Sequence, residues 1–226
     1  MPPILVPPPL PRQSPGGPRL GGLKAGAAGA YAPAMKTALR NAYRSLPPAP
    51  DATPLLRRIL SSDWWPAVFS LALFRPVPPE PDIRAVQEDA RRLGFRVAFP
   101  VASASGAYAF RFAEPGAPWR NGPFGIPQPA ESSPVPRDGL RAILLPGVAF
   151  DACGTRLGRG KGIYDRLLAR FPSALKIGVC AENRIAPVPL PRGKHDQPVD
   201  AVFTERRALF FPSAEAKLSR LLGTGA

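Results

Sequence analysis

The stretch Gly154-Thr155-Arg156-Leu157-Gly158-Arg159-Gly160-Lys161-Gly162-Ile163-Tyr164-Asp165 sets glycines among three basic residues and ends in a tyrosine and a carboxylate. Glycine has no Cβ, so backbone there turns tightly and comes close to a ligand. Free N–H groups with Arg156, Arg159 and Lys161 make a cradle for phosphate oxygens. The apolar run Ala142-Ile143-Leu144-Leu145 precedes it, and Tyr164-Asp165-Arg166-Leu167-Leu168-Ala169-Arg170 follows with helical character. Strand, glycine loop and helix in that order is a common way to hold a nucleotide. Neither common fingerprint is met. Counting back from Gly160-Lys161, a P-loop needs Gly where Thr155 stands, and a dinucleotide loop needs Gly where Ile163 stands. The motif by itself specifies an anion site; the alternative is a flexible surface loop with glycines for turn geometry.

Working outward, the unit continues into a strand at residues 175–180, and a further strand covers 200–204. Upstream, residues 68–74 read as a buried strand. A proline-rich loop reaches Glu80, and Pro81 is placed to open a helix whose Ile83, Val86, Ala90 and Leu93 share a face. Gly94 suits its C-terminal cap, and residues 95–99 form the next strand. Strand–helix–strand units normally make right-handed parallel crossovers. The expectation is one α/β domain over residues 34–222, with a mainly parallel sheet and helices on both faces. Ligands in such sheets bind beyond the carboxyl ends of strands. Glu80 and the glycine loop both follow strands directly and are expected on that edge. Residues 35–46 read as a helix with Leu39 and Tyr43 on one face and Lys36, Arg40 and Arg44 on another; a short helix covers 54–60. The Pro/Gly-rich residues 114–139 are an ordered loop flanking the site or a surface excursion.

With 226 residues and 45% hydrophobic content, the chain suffices for one sizeable domain. The net charge of +14 invites a nucleic-acid partner, but the basic residues are spread without a dense block. The favoured reading has no nucleic-acid partner and a field that draws in a polyanionic small molecule. Cys153 and Cys180 are too few for a disulfide framework and have no metal-ligand spacing, which fits a reducing compartment. A catalytic pair with His195 has no local support. No apolar run approaches the ~20 residues of a membrane span. Residues 1–33 are dominated by Pro and Gly, and the first acid is Asp51; they are expected to be a disordered leader. Met35 offers an alternative start. A targeting peptide is the other reading of Arg12, Arg19 and Lys24, though the prolines oppose an amphipathic transit helix.

Four blocks, in order, resemble the 5-formyltetrahydrofolate cyclo-ligase family, also called methenyltetrahydrofolate synthetases. Lys36-Thr37-Ala38-Leu39-Arg40 is similar to its opening Lys-x-x-Leu-Arg helix. Phe74 through Glu80 and Asp82 looks like its strand end with Glu-x-Asp/Glu, and Gly125-Ile126-Pro127-Gln128-Pro129 like its Ile-Pro-Gln/Glu-Pro turn. The most specific block runs from Leu145-Pro146-Gly147-Val148-Ala149-Phe150-Asp151 through Asp165, with a tail in His195-Asp196-Gln197-Pro198-Val199-Asp200 and Thr204-Glu205.

The resemblance implies that 5-formyltetrahydrofolate and MgATP give 5,10-methenyltetrahydrofolate, ADP and phosphate. ATP phosphorylates the formyl oxygen, the nitrogen at position 10 attacks, and phosphate leaves without a protein nucleophile. It implies nucleotide contacts at Lys36, Thr37, Ala38, Leu39 and Arg40, and at Arg156, Leu157, Gly158, Arg159, Gly160, Lys161, Gly162, Ile163 and Tyr164. Folate contacts fall on Arg40, Phe74, Glu80, Arg159, Gly160, Lys161, Gly162 and Ile163. The catalytic roles fall on Arg159, Lys161 and Tyr164. Mg²⁺ falls to Asp165 and Asp196, with Asp200 the alternative to Asp196. Structural readings stand beside these: Asp165 as a carboxylate favoured by a helix dipole, Glu80 as a helix cap, Lys36 and Arg40 as a solvated helix face. Two departures stand out: Ile163 occupies a position that is more often Tyr, and Pro76, Pro78 and Pro79 crowd the Glu80 loop. They motivate an alternative, a related ATP-dependent enzyme acting on another acid or amide. A cytoplasmic monomer is expected, with organellar import through residues 1–33 as the other reading.

Overall fold

The computed structural model describes residues 32–48 and 51–224. All but the last two residues of the expected leader lie outside them. Helices α1 (Ala32–Arg44) and α2 (Thr53–Leu60) lead to strand β1 (Ser70–Ala72). Helix α3 (Arg84–Arg92) crosses to β2 (Arg96–Ala102), and β3 (Tyr108–Ala113) returns beside it. A hairpin of β4 (Trp119–Asn121) and β5 (Pro127–Pro129) precedes β6 (Ser132–Pro134) and β7 (Ala142–Pro146). Next come β8 (Ala149–Asp151), β9 (Arg156–Leu157), α4 (Ile163–Leu168) and β10 (Leu175–Val179). The chain then runs through β11 (Ile185–Ala186), β12 (Ala201–Phe203), β13 (Ala208–Phe210) and α5 (Pro212–Leu222).

Eight strands form the main sheet in the order β13-β12-β10-β7-β1-β2-β3-β6. From β12 to β2 every pairing is parallel, and the outer pairings are antiparallel. The period-2 alternation of side chains sorts the core into two layers. Ala142 and Leu144 of β7 face one layer with Leu55, Ile59, Val86, Ala90, Ala214 and Leu221 from α2, α3 and α5. Ile143 and Leu145 face the other, with Leu167 and Leu168 of α4. The crossovers on α3 and α4 therefore cover opposite faces. The chain moves one way from β1 and the other way from β7, so the order reverses between these neighbours. Such a switch point opens a crevice beyond the carboxyl ends of the strands.

The structure corrects several local expectations. Phe69 adopts φ +48, which delays β1 to Ser70. Pro81 does not open α3. Asp82 Oδ1 accepts the Arg84 N–H at 2.9 Å, and this Asx turn starts the helix three residues later. Leu93 lies at the C-terminal cap and is exposed, while Ile83, Val86 and Ala90 are buried as expected. The glycine loop does not follow β7 directly: β8 intervenes and β9 lies inside the loop itself, and the two pair with each other, with β11 on the other side of β8. Helix α1 packs on this small sheet through Leu39 and Tyr43 against Val148, Ala149 and Leu157. Residues 114–139 hold β4, β5 and β6. Among the described residues, no helix is long and apolar enough to cross a membrane.

Candidate functional site

At the switch point lies a cavity of about 720 Å³. Phe74 and Arg75 enter it beyond β1, Phe99 and Pro100 from β2, and Pro146 and Gly147 at the end of β7. Lys36, Arg40 and Arg44 line it from α1; their i,i+4 spacing puts them on one helix face. The stretch from Arg156 to Asp165 lines it too, with Glu80 and Asp196. Phe124, Ile126 and Gln128 of the β4–β5 segment close another wall.

Most of the expected site residues therefore meet here, but three do not. Thr37 and Ala38 are exposed away from the cavity, and Thr37 Oγ1 donates to Pro33 O at 3.0 Å. Leu39 is buried against the small sheet. The alternative metal ligand Asp200 is also elsewhere, accepting the Lys176 N–H at 2.8 Å and Lys217 Nζ at 2.7 Å.

The glycine loop is held from both sides. Arg40 Nε donates to Gly158 O at 2.8 Å, and Arg44 Nη2 to Arg159 O at 3.4 Å. A Cβ on Gly158 would stand 2.6 Å from Arg156 Nη1, so glycine there lets the buried guanidinium run under the loop. Gly160, at φ +102, turns the chain where the Arg40 guanidinium lies against it. Arg156 Nη2 donates to Asp165 Oδ1 at 3.0 Å, and the Gln197 N–H reaches the same oxygen at 3.2 Å. Asp196 Oδ2 accepts from Lys36 Nζ and from the Gly193 N–H. Burial pushes the Asp196 carboxyl up, but the Gly193 N–H and Lys36 outweigh it and hold it below the usual carboxylate range. Lys161 is exposed at the cavity, and no acid pairs with it among the described residues.

Across the cavity, Arg159 Nη2 donates to Glu80 Oε1 at 2.8 Å, and the Val77 N–H to Glu80 Oε2 at 3.1 Å. Burial nevertheless raises the Glu80 carboxyl above its ordinary value. Burial, with Glu80 nearby, also pushes the Tyr164 hydroxyl far up. Tyr164 thus keeps its proton at neutral pH and can donate a hydrogen bond, but it cannot serve as a base. Ile163 lines the cavity and packs against the α4-side core. Among the described residues no three His, Cys, Asp or Glu side chains group to hold a metal. Mg²⁺, which keeps several waters, needs only one or two carboxylates.

Sequence reasoning missed Arg75 and Arg184. Arg184 is buried, with Nη1 on Tyr43 O at 2.8 Å and Nη2 on Leu46 O at 3.1 Å, tying the end of α1 to the cavity floor. Nothing local marks an arginine as buried. Gln128 sits in a quoted motif but had no role; its Oε1 accepts the Ala102 N–H at 3.0 Å and fixes the hairpin to β2.

A doubly wound α/β sheet with a basic, glycine-lined cavity at its switch point is an architecture in which phosphorylated ligands are commonly held. Comparison with known proteins narrows this. The sequence profile of the 5-formyltetrahydrofolate cyclo-ligase family matches residues 34–205, and the chain belongs to that family. It is 33% identical over 100 residues to the probable 5-formyltetrahydrofolate cyclo-ligase of Schizosaccharomyces pombe, covering 38% of this chain and 49% of that one. It is 40% identical over 72 residues to the 5-formyltetrahydrofolate cyclo-ligase of Mus musculus, covering 30% and 35%. These matches span half or less of the curated relatives' length. The structure of Aquifex aeolicus 5,10-methenyltetrahydrofolate synthetase superposes with a TM-score of 0.69 at 27% identity, over 81% of this chain and 94% of that one.

Proposed function

We propose that this chain cyclises 5-formyltetrahydrofolate to 5,10-methenyltetrahydrofolate with consumption of MgATP and release of ADP and phosphate. One observation carries the reading: a single cavity brings together the glycine loop, the α1 cations, Glu80, and the Asp165 and Asp196 carboxylates. The first two suit a nucleotide, Glu80 suits the N–H edge of a pterin, and the last two suit Mg²⁺. Asp165 and Asp196 fit that ion because the Gln197 N–H ties Asp165 to the segment that carries Asp196. Mg²⁺ bound there would neutralise phosphate charge.

The protein's own part is positioning and charge stabilisation. Lys36 and Arg40 hold the triphosphate from the helix side. Lys161, lacking an acidic partner, is available to the phosphoryl oxygens as the formyl oxygen attacks. Arg159 turns from Glu80 to the same oxygens. That frees the Glu80 carboxylate to accept N–H bonds from the pterin and to orient N5-formyl and N10 for ring closure. Tyr164, protonated, donates to an oxygen of the activated formyl group. The cavity walls Phe74 and Ile163 exclude water that would hydrolyse it.

The test is direct. Purified protein with MgATP and 5-formyltetrahydrofolate should develop the near-ultraviolet absorbance of the methenyl product. Absence of ATP-dependent product at high protein concentration, beside an active control enzyme, would refute the reading. ATP hydrolysis independent of folate would point instead to the related enzyme with another substrate.

A further inference from the structure

Most cations lining the cavity are engaged by the protein. Lys36 pairs with Asp196, Arg156 with Asp165 and Arg159 with Glu80. Arg40, Arg44 and Arg184 donate to backbone carbonyls. Two have no acceptor among the described residues, Lys161 and Arg75, and they belong to different walls. Lys161 rides the glycine loop. Arg75 follows β1 and lies over the indole of Trp119, its Cζ 3.6 Å from the ring centroid and 5.5 Å from that of Phe99. Its Nε is buried and without a hydrogen-bond partner.

This is an unbalanced charge. Burial lowers the Arg75 pKa, and Arg91 and Arg84 lower it further, against a smaller opposing effect of Asp82. Asp82 is itself held by Arg84 Nε at 2.9 Å. An arginine stacked on an aromatic face has its guanidinium plane fixed, with its remaining N–H groups pre-aimed; such a group binds a carboxylate better than a flexible lysine does. The Nη groups of Arg75 have no acceptor among the described residues, so they stay available to an anion that enters the cavity Arg75 lines.

Resting on the cyclo-ligase reading, we propose that Arg75 is a specificity residue that receives a carboxylate of the folate's glutamyl tail. The two substrates bring two anionic ends, a triphosphate and a glutamyl group. The two cations without protein acceptors stand on separate walls to take one each. Arg75 would favour glutamylated substrate over one that ends at the aminobenzoate.

The experiment compares kcat/KM for 5-formyltetrahydrofolate and for 5-formyltetrahydropteroate, which lacks the glutamate, in wild type, R75M and R75K. Wild type should favour the glutamylated substrate roughly ten- to hundredfold, the range of one charge-assisted contact. R75M, which retains an unbranched stem over Trp119, should bring that ratio close to one. R75K, which keeps the charge but loses the planar fork, should fall between, and it reads the same ratio if R75M is poorly folded. A wild-type ratio near one, or a ratio unchanged in R75M and R75K, overturns the assignment; equal losses on both substrates would place Arg75 against the pterin. Turnover of neither substrate by wild type would overturn the cyclo-ligase reading itself, and this assignment with it.

Discussion

The Glu80–Arg159 pair is asymmetric, and that asymmetry predicts unequal consequences for removing its two halves. The carboxylate side chain is 10% exposed and the guanidinium 51%. At their 2.8 Å separation the attraction is about 6 kcal/mol for an effective dielectric near 20. Desolvating a carboxylate costs several kcal/mol, of the same size. Burial wins at Glu80: its pKa is raised even though Arg159 and the Val77 N–H oppose the shift. The folded protein therefore holds this proton more tightly than the unfolded chain. Stability from this group is complete below the ordinary glutamate range and falls as pH rises from there through the raised value.

Glu80→Gln removes the buried charge and leaves Arg159 half in water. Its thermal midpoint at neutral pH should match or exceed that of the parent, while kcat/KM for the folate falls at least roughly tenfold through loss of a charged contact. Arg159→Ala leaves the carboxylate buried and unpaired, which costs about 1–3 kcal/mol, or roughly 3–10 °C for a domain of this size. That deficit should shrink at acid pH, where Glu80 is protonated and needs no cation. The double variant should return to the midpoint of Glu80→Gln. Calorimetry or thermal melts across pH provide the assay. If Glu80→Gln loses as much stability as Arg159→Ala at neutral pH, or if the Arg159→Ala deficit does not change with pH, desolvation does not dominate at Glu80 and the reasoning fails.

Lys161→Ala removes a solvent-facing cation, so its melt should be unchanged while turnover falls roughly a hundredfold, the scale of one transition-state charge contact; retained turnover would remove Lys161 from the site. Asp165→Asn should raise the Mg²⁺ concentration needed for half-maximal rate. It should also lower the melt by the equivalent of about 1–3 kcal/mol, because Arg156 is buried and loses its carboxylate; an unchanged Mg²⁺ dependence would leave Asp165 a purely structural partner. Gly178→Ala would place a Cβ 2.4 Å from Phe150 Cε1. This overpacking should cost about 1–3 kcal/mol, read in a denaturant melt, with KM for both substrates little altered.

How much of this was legible before the coordinates depended on how local each cause was. The run at 142–145 could be read because a strand buried on both faces needs apolar residues at every position, and β7 does place alternate residues in the two core layers. Lys36 and Arg40 could be read because i,i+4 spacing alone puts them on one face. The same geometry explains why Thr37, Ala38 and Leu39 do not join them: consecutive residues on a helix point in different directions, and only the motif as a block had put all five at the nucleotide. The β8–β9 hairpin was hidden because strands this short have no periodicity to detect. What shapes it is its own ring seated on a distant glycine: Phe150 of β8 lies 2.6 Å from where a Cβ of Gly147 would stand and 2.4 Å from that of Gly178, which β10 brings in from far along the chain. Arg75 was hidden for the same reason. Among the prolines of its loop it resembles any solvated arginine, and only Trp119, brought in by a hairpin from far along the chain, makes it a fixed cation inside a cavity. A motif reports residues whose partners are near in sequence or are the ligand itself. The charges whose partners are supplied by tertiary packing, Arg75 and Arg184 here, are the ones by which members sharing a motif can come to differ in substrate preference.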